Sequence, residues 1–325
     1  MNLLQGLDGL RTLKGGGVLS IGNFDGVHRG HQALLAHARA VREKTPGASL
    51  AVVTFEPHPL TVLRPEKAPP RLTCVQAKRE LLAAQGVEDL VELAPEPAVL
   101  NLTAQEFWAI LRDDVRPTHL VEGSEFNFGK GRGGNIARLK EWSANSRIRL
   151  HIVEEVEAEL LDMRIAPVSS TVIRYLLAYG RARDAAICLG RHYALRGEVV
   201  KGFQRGRTIG VPTANLRCDG QLIPADGVYA GRCAVAGRAY PAAVSIGTLP
   251  TFGDHSLHVE AHLIGFAGDL YGQTLSVEVL DWLREQIKYP NLDALKARIS
   301  RDVKETMKRQ NEDAARVMAP ARSAG

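Results

Sequence analysis

Two histidines three residues apart, His28 and His31, sit in VLSIGNFDGVHRGHQALLAHA, residues 18–38, among Gly22, Phe24, Asp25, Gly26 and Gly30. Imidazole nitrogens donate hydrogen bonds without a permanent charge, which suits the oxygens of a phosphate. The glycines let backbone approach a ligand closely. A helix beginning near Arg29 would turn its unpaired N–H groups and the positive end of its dipole on the same spot. The segment therefore reads as an anion site at a strand–turn–helix junction, against the plainer reading of a glycine-rich turn with two solvated histidines.

Further groups could serve such a site. His58 stands between Pro57 and Pro59 where the apolar run LAVVTF ends, the edge at which open α/β sheets bind ligands. EGSEFNFGKGRGG, residues 122–134, places Glu125 and Asn127 among aromatics ahead of Lys130 and Arg132; such a loop can set cations on phosphates and an aromatic ring on a base. In VSSTVIR, residues 168–174, the hydroxyls of Ser169, Ser170 and Thr171 can cap a helix and also donate to phosphate oxygens, and Arg174 follows one turn later.

A second constellation lies far along the chain, in GFQRGRTIGVPTAN, residues 202–215. Gly202, Gly206 and Gly210 interleaved with Arg205 and Arg207 suggest another phosphate cradle. Thr213 and Asn215 present oxygens on alternate residues of one strand face, a donor set for a hard cation such as Mg²⁺; hydrogen bonding to nearby backbone is the competing use of these two types. In SLHVEAHLI, Glu260 is a carboxylate among apolar neighbours. Partial desolvation would raise its proton affinity and suit it to act as a base, with a cross-strand ion pair as the alternative.

The elements that must hold these groups fall into two patterns. Val18–Ile21, Leu50–Phe55, Val87–Leu93 and His119–Val121 read as strands. Leu34, Leu35, Ala38 and Val41, then residues 77–85 and 104–111, carry helical spacing, and Thr103 with Glu106 forms a capping box. This alternation predicts a doubly wound, mostly parallel Rossmann-like α/β sheet. The proline-rich stretch from Thr61 to Arg71 reads as a mobile loop able to cover a ligand.

From Tyr193 the rhythm changes to YALRGEVV, GVYAGRCAV, RAYPAAVSI, SLHVEAHLI and QTLSVEVLDWL, short strands punctuated by Gly and Pro that predict an antiparallel β-barrel. Leu292, Leu295, Ile299, Val303 and Met307 predict a closing helix capped by Asn291. The expected domains are 1–185 and 186–310, with a frayed polar tail over 311–325.

Composition narrows the function. A net charge of +5 suits anionic ligands, yet the charges are spread along all 325 residues rather than gathered into a basic arm. The glycine–basic clusters also lack the interleaved aromatics of a nucleic-acid platform. Cys74, Cys188, Cys218 and Cys233 fit neither a CxxC metal pattern nor a disulfide framework and read as reduced thiols. The N-terminus lacks the apolar core of a signal peptide, and no run approaches ~18 apolar residues, so a cytoplasmic protein without a membrane segment is expected.

GNFDGVHRGH with VSSTVIR, together with the PHP turn and the FNFGKGRGG loop, resembles the nucleotidyltransferase half of the bacterial bifunctional riboflavin kinase/FMN adenylyltransferase (FAD synthetase) family. PTAN, DGVYAG, IGTLPTF, VEAHL, DLYG and LREQIKY resemble that family's riboflavin kinase half, in the same order, so the resemblance covers about residues 18–303. It implies that His28 and His31 hold ATP phosphates as pyrophosphate leaves, and that Ser169, Ser170, Thr171 and Arg174 bind the β and γ phosphates. It also places His58, Glu125 and Asn127 beside the nucleotide or FMN, puts Thr213 and Asn215 on the metal and ATP, and makes Glu260 the base for the riboflavin hydroxyl.

The sequence departs from the family pattern at Glu125, Val172, Ser245 and Tyr289, where the family commonly has Asp, Arg, Asn and Phe. The expected partners are ATP, riboflavin, FMN and FAD, with Mg²⁺ at both sites, in a monomer or weak homo-oligomer. An enzyme with one decayed activity and a non-catalytic flavin binder are the rival readings.

Overall fold

The computed structural model describes residues 1–202, 210–249 and 254–318. The chain forms two compact units, one of Met1–Ala158 with Ile165–Ser170 and the other of Glu159–Arg164 with Thr171–Gly325. Residue 186, where the change of rhythm suggests a boundary, lies inside the second unit, in the helix Ala182–Leu189.

The first unit is built on strands β1 (Asn2–Gln5), β2 (Val18–Ile21), β3 (Leu50–Phe55), β4 (Asp89–Leu93) and β5 (His119–Gly123), with β8 (Arg149–Val153) at one edge. They form one sheet in the order β1-β4-β3-β2-β5-β8, and every pair is parallel. Such a sheet needs strands that are apolar on both sides. Leu19, Ile21, Val53, Val91 and Leu120 face Trp108 and Leu111 in one core layer; Val18, Leu50, Val52, Leu90 and Val121 face Leu35, Ala38 and Leu82 in the other.

The strand order reverses between β2 and β5, which creates the crevice where doubly wound sheets take ligands. Their ladder pairs only Val18 with His119 and Leu19 with Leu120, so the crevice opens just beyond Leu19. The stretch expected as a loop over Thr61–Arg71 contains two short helical segments, Leu60–Leu63 and Pro65–Lys67. Arg71 at its end pairs with Glu56 at 2.8 Å.

In the second unit β11 (Tyr193–Val200), β12 (Ala214–Arg217), β13 (Gly227–Val235), β14 (Arg238–Leu249), β15 (Asp254–Leu263) and β16 (Thr274–Arg284) close a barrel. Its order is β11-β12-β15-β14-β13-β16, with antiparallel neighbours throughout. Strand β11 alternates buried and half-buried residues along its length, the period of two expected of a filled barrel. Closure leaves no free sheet edge.

Asn291 caps the final helix as expected, its Oδ1 accepting from Ala294 N–H at 2.8 Å. That helix continues past Gln310 to Met318, where composition alone suggests fraying. Asp313 lies 2.9 Å from His192 Nε2 and 3.6 Å from Arg232, and these contacts hold the added turns.

No disulfide joins the four cysteines among the described residues, Cys188 and Cys233 being buried and Cys74 and Cys218 partly so. Among the described residues no helix is long and apolar enough to cross a membrane.

Candidate active sites

Beyond β2 the chain makes a turn with two non-glycine residues in the left-handed region, Phe24 at φ 48° and Val27 at φ 38°. For a β-branched residue this is a genuine outlier, costing on the order of 1–3 kcal/mol. Anchors distant in the sequence impose it. The Asp25 carboxylate accepts from Leu72 N–H at 3.0 and 3.1 Å and from Thr73 N–H at 3.3 Å. Ser170 Oγ donates to the Asp25 carbonyl at 2.8 Å, and the Phe24 side chain is wholly buried with its ring 5.0 Å from that of His31. Phe24 and Asp25, read from the sequence as nucleotide contacts, thus also hold the turn in shape.

His28 is the N-cap of the helix Arg29–Glu43, its Nδ1 accepting from His31 N–H at 3.4 Å. The His28 and His31 rings stack at 3.7 Å with 21° between planes. Burial first, and the neighbouring His28 second, hold His31 well below the ordinary histidine range, so it is neutral at pH 7. A Cβ on Gly30 would come within 3.2 Å of both the His28 ring and the Val168 carbonyl. Glycine there lets the segment carrying Ser169 and Ser170 pass against the histidine pair.

The pair opens on a cavity of about 270 Å³ lined by Ile21, Gly22, Phe24, Gly30, Leu34, Glu122–Phe126, Val153–Val156 and Val168. Glu125 is in that wall. Asn127 is not among the lining residues, and its Nδ2 donates to the Glu125 carbonyl at 2.7 Å. His58 also lies outside the lining, with Nδ1 accepting from Leu60 N–H at 3.1 Å and Nε2 3.4 Å from the Asn23 amide. Thr171 and Arg174, on the helix Ser170–Ala178, belong to the second unit.

Glu122 at the end of β5 is the feature that sequence reading missed. It is fully buried, Oε1 accepts from Ile21 N–H at 2.9 Å, and burial pushes its carboxyl well above the usual range. The available signal was an acidic residue closing the apolar run HLVEG.

On the barrel, register alone gathers the second constellation. Asn215 and Ser245 pair with Glu260 from opposite sides, on β12 and β14, and directly paired residues project to the same face. All three are half-buried between inward-facing, buried neighbours such as Ala214, Val244 and Val259, so the row lies on the outer face. Thr213 Oγ1 reaches Glu260 Oε2 at 3.5 Å. A Cβ on Gly202 would fall within 2.4 Å of the Asn215 amide, so backbone must pass directly over that side chain.

Gln286 Nε2 donates to Ser245 Oγ at 2.8 Å and to the Ile246 carbonyl at 2.9 Å, a support not visible in sequence. Gly210 adopts a φ of 80°. Arg205, Gly206 and Arg207 lie outside the described residues. A cleft of about 310 Å³ adjoins Thr213, with Val199, Leu263, Phe266 and Tyr271 in its walls.

Two family models match the chain, FAD synthetase over residues 11–171 and riboflavin kinase over residues 189–310. A bifunctional riboflavin kinase/FMN adenylyltransferase of Pseudomonas fluorescens is 38% identical over 93% of this chain and 96% of its own length. The Escherichia coli K12 protein of the same name is 37% identical over the same shares. The chain belongs to the bifunctional riboflavin kinase/FMN adenylyltransferase family.

Among solved structures, a Streptococcus pneumoniae chain described as a macrolide-efflux protein aligns with a TM-score of 0.83 and 30% identity over 94% of this chain and 99% of that one. The FAD synthetase match contains the histidine turn, Glu122, Ser169 and Ser170; the riboflavin kinase match contains the whole Thr213–Asn215–Ser245–Glu260 row. Each unit of this family member therefore carries its own polar constellation.

Proposed function

We propose that the chain converts riboflavin to FMN on its barrel and FMN to FAD on its parallel-sheet unit, using ATP in both steps. The observation that carries the reading is the barrel row, in which Glu260 stands between Asn215 and Ser245 with the Thr213 hydroxyl on its carboxylate. Phosphoryl transfer asks a protein to position two substrates and to accept one proton.

In the kinase reaction the riboflavin hydroxyl oxygen bonds to the γ-phosphorus as the bond to the ADP oxygen breaks, and Glu260 takes the hydroxyl proton. Thr213 and Asn215 supply hard oxygen donors beside that carboxylate, a set that fits Mg²⁺. The ion would offset polyphosphate charge. Gly202 and Gly210 flank this row as backbone approaches for ATP, with Arg207 assigned to phosphate from sequence.

In the adenylyl transfer an FMN phosphate oxygen attacks the α-phosphorus of ATP and pyrophosphate departs. His28 and His31 donate to phosphate oxygens, His31 from a neutral ring, and the helix behind them adds its N–H groups. Ser169 and Ser170 border the same turn, and Glu125 faces the cavity from the loop after β5. Thr171 and Arg174 are assigned to phosphate, and His58 and Asn127 to the flavin or nucleotide, on the resemblance alone. No protein nucleophile is needed, because both reactions are in-line attacks by substrate oxygens. We place the functional boundary near residue 186, and a cytoplasmic monomer or weak homo-oligomer is the state that fits.

The test incubates the purified protein with ATP and Mg²⁺ plus either riboflavin or FMN and separates the flavins. Riboflavin should yield FMN and then FAD, and FMN should yield FAD. FMN accumulating without FAD would remove the adenylyltransferase from the reading, and flavin bound without turnover would reduce the chain to a binding protein.

A further inference from the structure

Glu122 has no part in the chemistry above, yet its position is costly. Burying a carboxyl is expensive unless both oxygens are used, and among the described residues Oε2 has no hydrogen-bond partner. Oε1 is committed to Ile21 N–H at 2.9 Å, beyond the last rung of the β2–β5 ladder. The side chain thus fills the crevice at the point where strand order reverses, and it lines the cavity that holds His28 and His31. His31 Nδ1, in the same cavity, is also buried without a partner. Two polar atoms left unsatisfied in one cavity point to a ligand that satisfies them.

We infer that Glu122 is a specificity-determining residue of the adenylyl-transfer site, its Oε2 hydroxyl donating to a ring nitrogen of the adenine of ATP. The inference rests on the adenylyltransferase reading above. Charge decides which part of the nucleotide Glu122 meets. The histidine pair and the helix N-terminus, all donors, suit the polyphosphate. A carboxyl at the strand ends beside apolar Ile21, Val153 and Val156 suits a flat ring with acceptor nitrogens. Burial pushes the Glu122 carboxyl well above the usual range, and since Oε1 accepts from a backbone N–H, Oε2 is the oxygen placed to carry a proton.

Gln at this position can still accept from Ile21 through its carbonyl and donate through its amide nitrogen, whereas Met fills the space with neither function. Steady-state FAD formation from FMN should show Glu122→Gln within about threefold of the parent, and Glu122→Met with KM for ATP raised about tenfold or more at nearly unchanged kcat, the worth of one hydrogen bond lost to a buried site. Riboflavin kinase activity of the same samples should not change.

The parent protein, assayed with 1-deaza-, 3-deaza- and 7-deaza-ATP, should show one analogue with a comparable KM penalty; this arm stands even if the Met variant fails to fold. A folded Met variant with parental KM overturns the inference and makes Glu122 a plug in the sheet. So does a Gln variant as poor as Met, or three analogues equal to ATP. A parent protein that makes no FAD overturns the adenylyltransferase reading itself, and this inference with it.

Discussion

The proposed reactions give Glu260 and His31 different work, and their neighbours differ accordingly. Glu260 sits in a row with Asn215 and Ser245 and within 3.5 Å of Thr213 Oγ1, among oxygens that can share a cation. Replacing it with Gln keeps the shape and removes the proton acceptor. FMN formation should fall at least about 100-fold, the usual worth of a positioned base, while FAD formation from supplied FMN stays at the parent rate, both read by flavin chromatography.

Burial and then His28 hold His31 well below the ordinary histidine range, so in the proposed reaction it would meet phosphate as a donor rather than as a cation. A side chain of this kind should show no loss of adenylyl transfer through pH 6.5, where an ordinary histidine titrates, and should act down to its lowered value. His31→Ala should cost about 100- to 1000-fold in kcat, the scale of a removed charge-stabilising donor, measured as FAD formed from FMN.

Spacing and residue type are enough to single out both as candidates, one of a histidine pair and a carboxylate in an apolar strand. The packing of Phe24 and Asp25 is not legible in this way. Asp25 meets backbone 47 residues away at Leu72, and the left-handed φ of Phe24 and Val27 is imposed by such distant anchors rather than by local preference. Glu122 escaped for a related reason: its meaning depends on β2 and β5 parting beside it.

At the level of elements, β2 and β3 were legible residue for residue, since each is a bounded apolar run that packs on both faces. Strands β1 and β8 were missed. They are the edge strands of the sheet, and with mixed exposure along NLLQ and RLHIV they carry a weaker signal. The second helix after β4 illustrates a different limit. Its capping box is present as expected, but the turn after Ala109 widens to a π-helix over Ile110–Val115, which no periodicity in the sequence announces.

Edge and centre are also joined by a histidine chain. Thr45 Oγ1 donates to the Val41 carbonyl at 2.9 Å and lies 3.3 Å from His119 Nε2, so it accepts from that ring. His119 Nδ1 then accepts from His151 Nε2 at 2.9 Å, and His151 Nδ1 from His37 Nε2 at 3.4 Å. The chain ties the helix Arg29–Glu43 to β5 and β8. Burial lowers the pKa of His119, with Arg149 adding to it, and lowers that of His151, with His119, His37 and Arg149 adding to it.

The folded state therefore binds fewer protons than the unfolded one below pH 6.5. Stability present at neutral pH is lost as pH falls from 6.5 towards those lowered values. Urea midpoints at pH 7.5 and 5.5 should show the loss, and His119→Gln should shrink the difference between them at a cost of about 1 kcal/mol at neutral pH.

For the whole molecule, the proposed reactions draw on two separate sets of groups: a carboxylate and hard donors on the barrel, and a histidine pair at a helix start on the parallel sheet. The two patterns were separable in sequence because α/β alternation and short barrel strands have different periods, although the compact units divide between residues 158 and 171, ahead of the change in rhythm. The chemistry makes FMN the product of one set and the substrate of the other.

If FMN passes between them through solution, the two activities can be lost in separate molecules and still sum. The Glu260→Gln protein should make FAD from FMN and none from riboflavin. The His31→Ala protein should take riboflavin to FMN and stop. An equimolar mixture of the two should make FAD from riboflavin after a lag that shortens as protein concentration rises, because the intermediate must first build up. A mixture that makes no FAD, although each variant keeps its own remaining activity, would show that FMN does not leave the molecule that forms it.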